Sequence, residues 1–203
     1  MEKSIDNKYK FYLGTLTPTI TEERKLNVTQ MDVFSRLMAD RIIYFGDMVD
    51  SDTANTAVAQ LLFLNNVSET EPINFYINSP GGYCSDGLAI YDTIKLINAP
   101  VYTTCIGECA SMGAILLAAG EKGHRRITKH SKVMIHQPIG GYNGCADDAE
   151  IYMNELLKCK DVIYGLLSDD IGKPKEQIIE DSKRDRWFTA EEALEYGIVD
   201  EIL

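Results

Sequence analysis

From residue 41 onward the chain repeats one pattern: a short apolar run with strand character, a glycine-containing or polar turn, then a segment whose apolar residues recur at helical spacing. The first unit runs from Arg41-Ile42-Ile43-Tyr44-Phe45 through Gly46 to a helix expected over 53–65, with Ser51-Asp52 offering its N-cap. The second joins Ile73-Asn74-Phe75-Tyr76-Ile77-Asn78, through Ser79-Pro80-Gly81-Gly82, to a helix over 86–97 closed by Pro100. The third joins a strand over 101–106 to a helix over 112–119 that is apolar on every side and is therefore expected to be buried. A polar, hairpin-like region and a further strand follow, Lys132-Val133-Met134-Ile135-His136, stopped by Pro138. Three βα units in succession favour an α/β fold with parallel strands.

The chain is long enough for one good core, with 203 residues of which 45% are hydrophobic, and no low-complexity linker divides it. A single domain over 41–203 is expected, preceded by a mixed, polar and mobile N-terminal arm over 1–40 that can include a propeptide. A net charge of -11 argues against a nucleic-acid partner. The longest nearly apolar stretch, 109–120, is too short to span a bilayer, and the N-terminus lacks the apolar core of a signal peptide. A soluble, cytoplasmic protein is expected. The five cysteines form no C-x-x-C pair and read as reduced thiols. His124, His130 and His136 recur at a spacing that fits neither one helix face nor a zinc finger, so no metal site is expected.

The segment 147–170 reads as one long helix, with Ala149, Tyr152, Met153, Leu156, Leu157, Ile163, Leu166 and Leu167 largely at helical spacing. Two readings stand side by side: an ordinary core helix, or a helix buried against another copy of the chain. Beyond it come a short helix over 175–182, the charged run Arg184-Asp185-Arg186, and a capping box at Thr189-Ala190-Glu191-Glu192 that opens a last helix before Gly197.

Ser111 falls where the third strand gives way to its buried helix. First-turn N–H groups have no intrahelical partner and the helix dipole favours negative charge there, so an oxyanion formed by attack of Ser111 would be stabilised at once. A serine in this position can equally be a plain helix cap. Amide hydrolysis also needs a base, an orienting carboxylate and oxyanion donors. His136 at a strand end is a candidate base, and Gly81-Gly82 can expose backbone N–H groups. Each has an ordinary alternative, a strand-end histidine and a turn, while Asp185 lies in a run that would normally be a solvated face.

Four segments, Ile77-Asn78-Ser79-Pro80-Gly81-Gly82, Ala110-Ser111-Met112-Gly113-Ala114, Met134-Ile135-His136-Gln137-Pro138 and Arg184-Asp185-Arg186, closely resemble the signature segments of the Clp protease proteolytic subunit family, in the same order and separation. The resemblance covers about 18–203. It implies a crotonase-like spiral of βα units, with the helix over 147–170 as a protruding handle between rings. It further implies Ser111 as nucleophile, His136 as base, Asp185 as orienting acid, and the N–H groups of Gly82 and Met112 as the oxyanion hole. The implied particle is two stacked seven-membered rings of an ATP-dependent serine endopeptidase, fed unfolded protein by a hexameric Clp-type ATPase. No metal or organic cofactor is implied.

Leu62, Tyr76 and Leu203 fit the outer pocket that receives the ATPase loop in that family. Asn74 and Arg126 stand where aromatic side chains are common, and the Arg126 guanidinium is expected to face the loop unpaired. Cys109 replaces a small residue, and Lys183 replaces an acid that would pair with Arg184 between rings. Two other functions remain to be separated from the active peptidase: a weakly active structural ring subunit paired with a related chain, and a crotonase-type acyl-CoA hydratase. Activity of the chain alone separates the first, and serine-directed labelling the second.

Overall fold

In the computed structural model, which describes residues 19–24 and 27–203, the described chain falls into two units that meet in sequence at Asp40 and Arg41. In the first, β1 (Thr19–Arg24) and β2 (Asn27–Asp32) form an antiparallel hairpin, and α1 (Val33–Ala39) follows. Asp32 caps that helix by accepting the N–H groups of Phe34 and Ser35 at 2.9 and 3.0 Å. Of the expected arm over 1–40, residues 1–18, 25 and 26, where a propeptide would begin, lie outside the described residues.

The second unit runs β3 (Ile42–Phe45), α2 (Ser51–Val67), β4 (Ile73–Ser79), α3 (Cys84–Leu96), β5 (Val101–Ala110), α4 (Met112–Ala118), β6 (Arg126–Ile127) and β7 (Lys132–Ile135). It continues with α5 (Ala146–Ile171), α6 (Lys175–Asp181), β8 (Arg186–Phe188), α7 (Ala190–Tyr196) and β9 (Glu201–Ile202). Strands β3, β4, β5, β6 and β9 lie side by side and parallel. β5 forks: its first half pairs with β6, and its last residues pair with β7, which in turn holds β8 antiparallel.

Differences from the sequence expectation have local causes. α2 is capped by Asp50 and not by Ser51-Asp52, because Val49 is bridged to Gly82 and Asp50 is the next extended residue, its carboxylate accepting the N–H groups of Asp52 and Thr53. The polar region after α4 is no hairpin. Buried Arg125 pairs with Asp200 at 2.6 Å and donates to the Asp170 carbonyl at 3.0 Å, which draws β6 into the parallel sheet beside β9.

All seven residues of α4 are buried, as its uniform apolarity requires. In α5 the buried residues are Ile163, Tyr164, Leu167 and Asp170, all in its last third, whereas Ile151, Met153 and Leu157 are exposed. The core-helix reading therefore holds within the protomer only for the C-terminal part of α5. Among the described residues no helix is long and apolar enough to cross a membrane.

Candidate active site

Ser111 directly follows β5 with φ 54° and ψ -121°, a backbone conformation that costs a non-glycine residue ~1–3 kcal/mol and persists only where its surroundings hold it. Those surroundings are rigid. The Ser111 N–H donates to the Met134 carbonyl at 2.9 Å on one side, and α4 is anchored in the core on the other. Ser111 occupies the N-cap position of α4 but its side chain makes no capping bond. Its Oγ lies 2.9 Å from His136 Nε2 instead, which removes the helix-cap alternative.

The fork in β5 sets this meeting. Ala110 pairs with Met134, so Ser111 leaves its strand level with Ile135, and His136 leaves the neighbouring parallel strand one residue further on. Ile135 pairs in turn with Arg186, which places Asp185 at the mouth of the adjacent antiparallel strand. Its Oδ1 is 3.1 Å from His136 Nδ1. With the imidazole proton on Nδ1 and donated to Asp185, Nε2 is free to accept the Ser111 hydroxyl. That tautomer is the one a general base needs.

The Ser-Pro-Gly-Gly loop lies against the serine. Gly81 has φ 89°, and a Cβ there would sit 2.6 Å from both the Ala110 carbonyl oxygen and Ser111 Cβ and 2.9 Å from the Met112 nitrogen. The Val49 N–H donates to the Gly81 carbonyl and the Tyr83 N–H to the Val49 carbonyl, each at 2.8 Å. In this parallel bridge Val49 bonds Gly81 and Tyr83 and leaves the intervening Gly82 N–H unused. Met112 opens α4, where a first-turn N–H has no intrahelical acceptor.

Sequence reasoning did not select the pocket beside the serine. Cys84, Met112, Ile115, Ile135, Pro138, Ile163 and Leu167 line it next to Ser111 and His136. Burial, reinforced by the neighbouring Cys159 thiol, pushes the Cys84 thiol up to about 12, so it lines the pocket as a neutral group. The only sequence signal was the i, i+4 pair Ile163 and Leu167, which reads as ordinary core.

Tyr76, Thr104, Arg126 and Glu201 form one row across β4, β5, β6 and β9; Leu62 on α2 and Leu203 after β9 are exposed. The expected unpaired guanidinium is corrected. Arg126 Nε is 3.0 Å from Glu201 Oε2, and the guanidinium lies 5.8 Å from the Tyr102 ring centre. Its partner is 75 residues on, out of reach of local pattern. Asn74 pairs across the strands with Tyr102. Lys183 bonds Glu180 within its own segment at 2.5 Å.

A serine, a histidine and an aspartate in hydrogen-bonded series, beside a glycine loop and the first turn of a buried helix, are the parts of a serine acyl-transfer enzyme built on an α/β fold. Residues 24–203 match the Clp protease family model. The ATP-dependent Clp protease proteolytic subunit of Porphyromonas gingivalis is 50% identical over 201 residues, 99% of this chain and 90% of that protein. The proteins of that name from Bacteroides fragilis and, as subunit 1, from Salinibacter ruber are 51% identical over 199 residues (98% of this chain, 96% of that protein) and 46% identical over 188 residues (93% and 81%). The chain belongs to the Clp protease family.

Proposed function

We propose that this chain is the proteolytic subunit of an ATP-dependent serine peptidase, acting in the cytoplasm on unfolded protein. The observation that carries the reading is the Ser111–His136–Asp185 series, with its 2.9 and 3.1 Å contacts, at a serine held in a strained backbone conformation. His136 Nε2 takes the Ser111 proton as Oγ attacks the peptide carbonyl. The Gly82 and Met112 N–H groups receive the oxyanion, and the new imidazolium is stabilised by Asp185. His136 then protonates the leaving amine, and water, deprotonated by the same nitrogen, releases the acyl group. The small pocket of Cys84, Met112, Ile163 and Leu167 gives the serine an apolar flank. Covalent labelling of Ser111 by a fluorophosphonate, with loss of peptide cleavage, tests this reading; a hydratase has no activated serine to label.

Assembly into stacked rings is supported by the exposed apolar residues of α5, among them Ile151, Met153 and Leu157. Burying each against a second copy is worth ~1.5–3 kcal/mol, and a charge there reverses the sign. Leu157→Glu is expected to shift the sedimenting particle to a smaller species and to lower activity. An unchanged particle would take this face out of the interface.

Leu62, Tyr76 and Leu203 would receive the ATPase loop, on a surface made more polar by Asn74 and by the Arg126–Glu201 pair. Asn74→Tyr with Arg126→Phe should tighten binding of an ATPase bearing an apolar loop by roughly tenfold. Equal affinity of the two proteins would show that the native pocket already suits such a loop.

A further inference from the structure

Asp185 is weakly supported by its own surroundings. Its side chain is 64% exposed, and among the described residues its carboxylate bonds only His136. Its direction therefore depends on the backbone that carries it. On the C-terminal side that backbone is fixed by the β7–β8 ladder, where Ile135 pairs with Arg186. On the N-terminal side it is fixed by a side chain: Gln137 Nε2 donates to the Lys183 carbonyl at 3.1 Å. Gln137 directly follows His136, and Lys183 stands two residues before Asp185. One amide thus ties the base-bearing segment to the acid-bearing one.

The amide is itself oriented. Lys160 Nζ, on α5, donates to Gln137 Oε1 at 3.0 Å, and the same ammonium lies 5.7 Å from the ring centre of buried Tyr164. With its oxygen occupied by a cation, the Gln137 amide presents its NH2 to the Lys183 carbonyl. The bond to the Lys183 carbonyl comes from a neutral amide, and the one charge of the clamp is the Lys160 ammonium bound to Gln137 Oε1. Because it grips a backbone carbonyl, the identity of the Lys183 side chain does not enter.

We propose that Gln137, oriented by Lys160, is a positioning residue that aims the Asp185 carboxylate at His136. The inference rests on the catalytic reading of Ser111, His136 and Asp185. Its chemistry dictates the variants. Gln137→Glu keeps the shape and the acceptor for Lys160 but cannot donate to Lys183; Gln137→Ala loses both bonds. Lys160→Met keeps the aliphatic stem and loses the donor, and Lys160→Arg keeps a donor.

The experiment measures kcat and KM of the full-length assembled protein on a small fluorogenic peptide, and the rate of Ser111 labelling by a fluorophosphonate. Gln137→Glu and Gln137→Ala are expected to lower kcat about tenfold with KM changed less than about twofold, as misaimed groups slow chemistry more than binding. Lys160→Met should cost about threefold and Lys160→Arg should restore most of it. In an Asp185→Asn background, Gln137→Glu should add almost nothing to the loss in labelling rate, since its target is already gone. A merely structural role would instead give independent, additive losses. If Gln137→Ala fails to assemble, the near-isosteric Gln137→Glu carries the same test. Wild-type kcat in the Gln137 variants that assemble, or additivity with Asp185→Asn, overturns the proposal. Wild-type labelling in Asp185→Asn alone overturns the catalytic reading itself, whereas a crippled Asp185→Asn beside fully active Gln137 variants overturns the positioning role only.

Discussion

Ser111→Ala is expected to lower turnover of a small fluorogenic peptide by at least about a thousandfold, leaving only what the oxyanion donors and His136 can do with water. Sedimentation and unfolding should hardly change, since the lost hydroxyl caps no helix and bonds only His136 among the described residues. His136→Ala should be about as severe. Combining it with Ser111→Ala should add little, because residues that act as a unit give non-additive losses. Retention of more than roughly a tenth of the wild-type rate in Ser111→Ala would identify a different nucleophile.

The second large effect comes from a single methyl group outside the hydrogen-bonded series. Gly81→Ala would place a Cβ 2.6 Å from Ser111 Cβ and from the Ala110 carbonyl, at a φ of 89° that alanine resists. Either the loop or the nucleophile must move, and a displacement of about 1 Å can cost about a hundredfold in rate. We expect at least that loss in the rate of Ser111 labelling. Gly141→Ala, with no atom within 4 Å of its added Cβ, is the matched control and should be silent. A Gly81→Ala protein labelled at more than half the wild-type rate would show that the loop does not brace the serine.

Much of the architecture could be read from the chain because the βα units are long and strongly patterned. β4 alternates buried and half-buried residues over seven positions, and α4 is apolar throughout. β6, β8 and β9 were not legible. They are two or three residues long, too short for a period of two to register, and β8 starts inside a charged run. Ser111 was placed correctly at a strand-to-helix junction, but its strained φ is imposed by neighbours from β7 and the core. Asp185 is the clearest case. Nothing local separates it from a solvated charge, and only the resemblance of the four segments pointed to it. The fold brings it to His136 through an antiparallel strand that sequence periodicity did not reveal.

The burial of every residue in α4 has a consequence for the life history of the polypeptide. A seven-residue helix without an outer face draws its stability from the core that closes around it, and the twisted backbone at Ser111 is held by that same packing. Folding and arming are therefore one event. In a chain whose core has opened, Ser111 is expected to relax to an ordinary backbone conformation and to lose its contact with His136. In a denaturant series, reactive-serine labelling should disappear together with the core, with no earlier phase; labelling that outlasts or precedes the loss of core structure would uncouple the two.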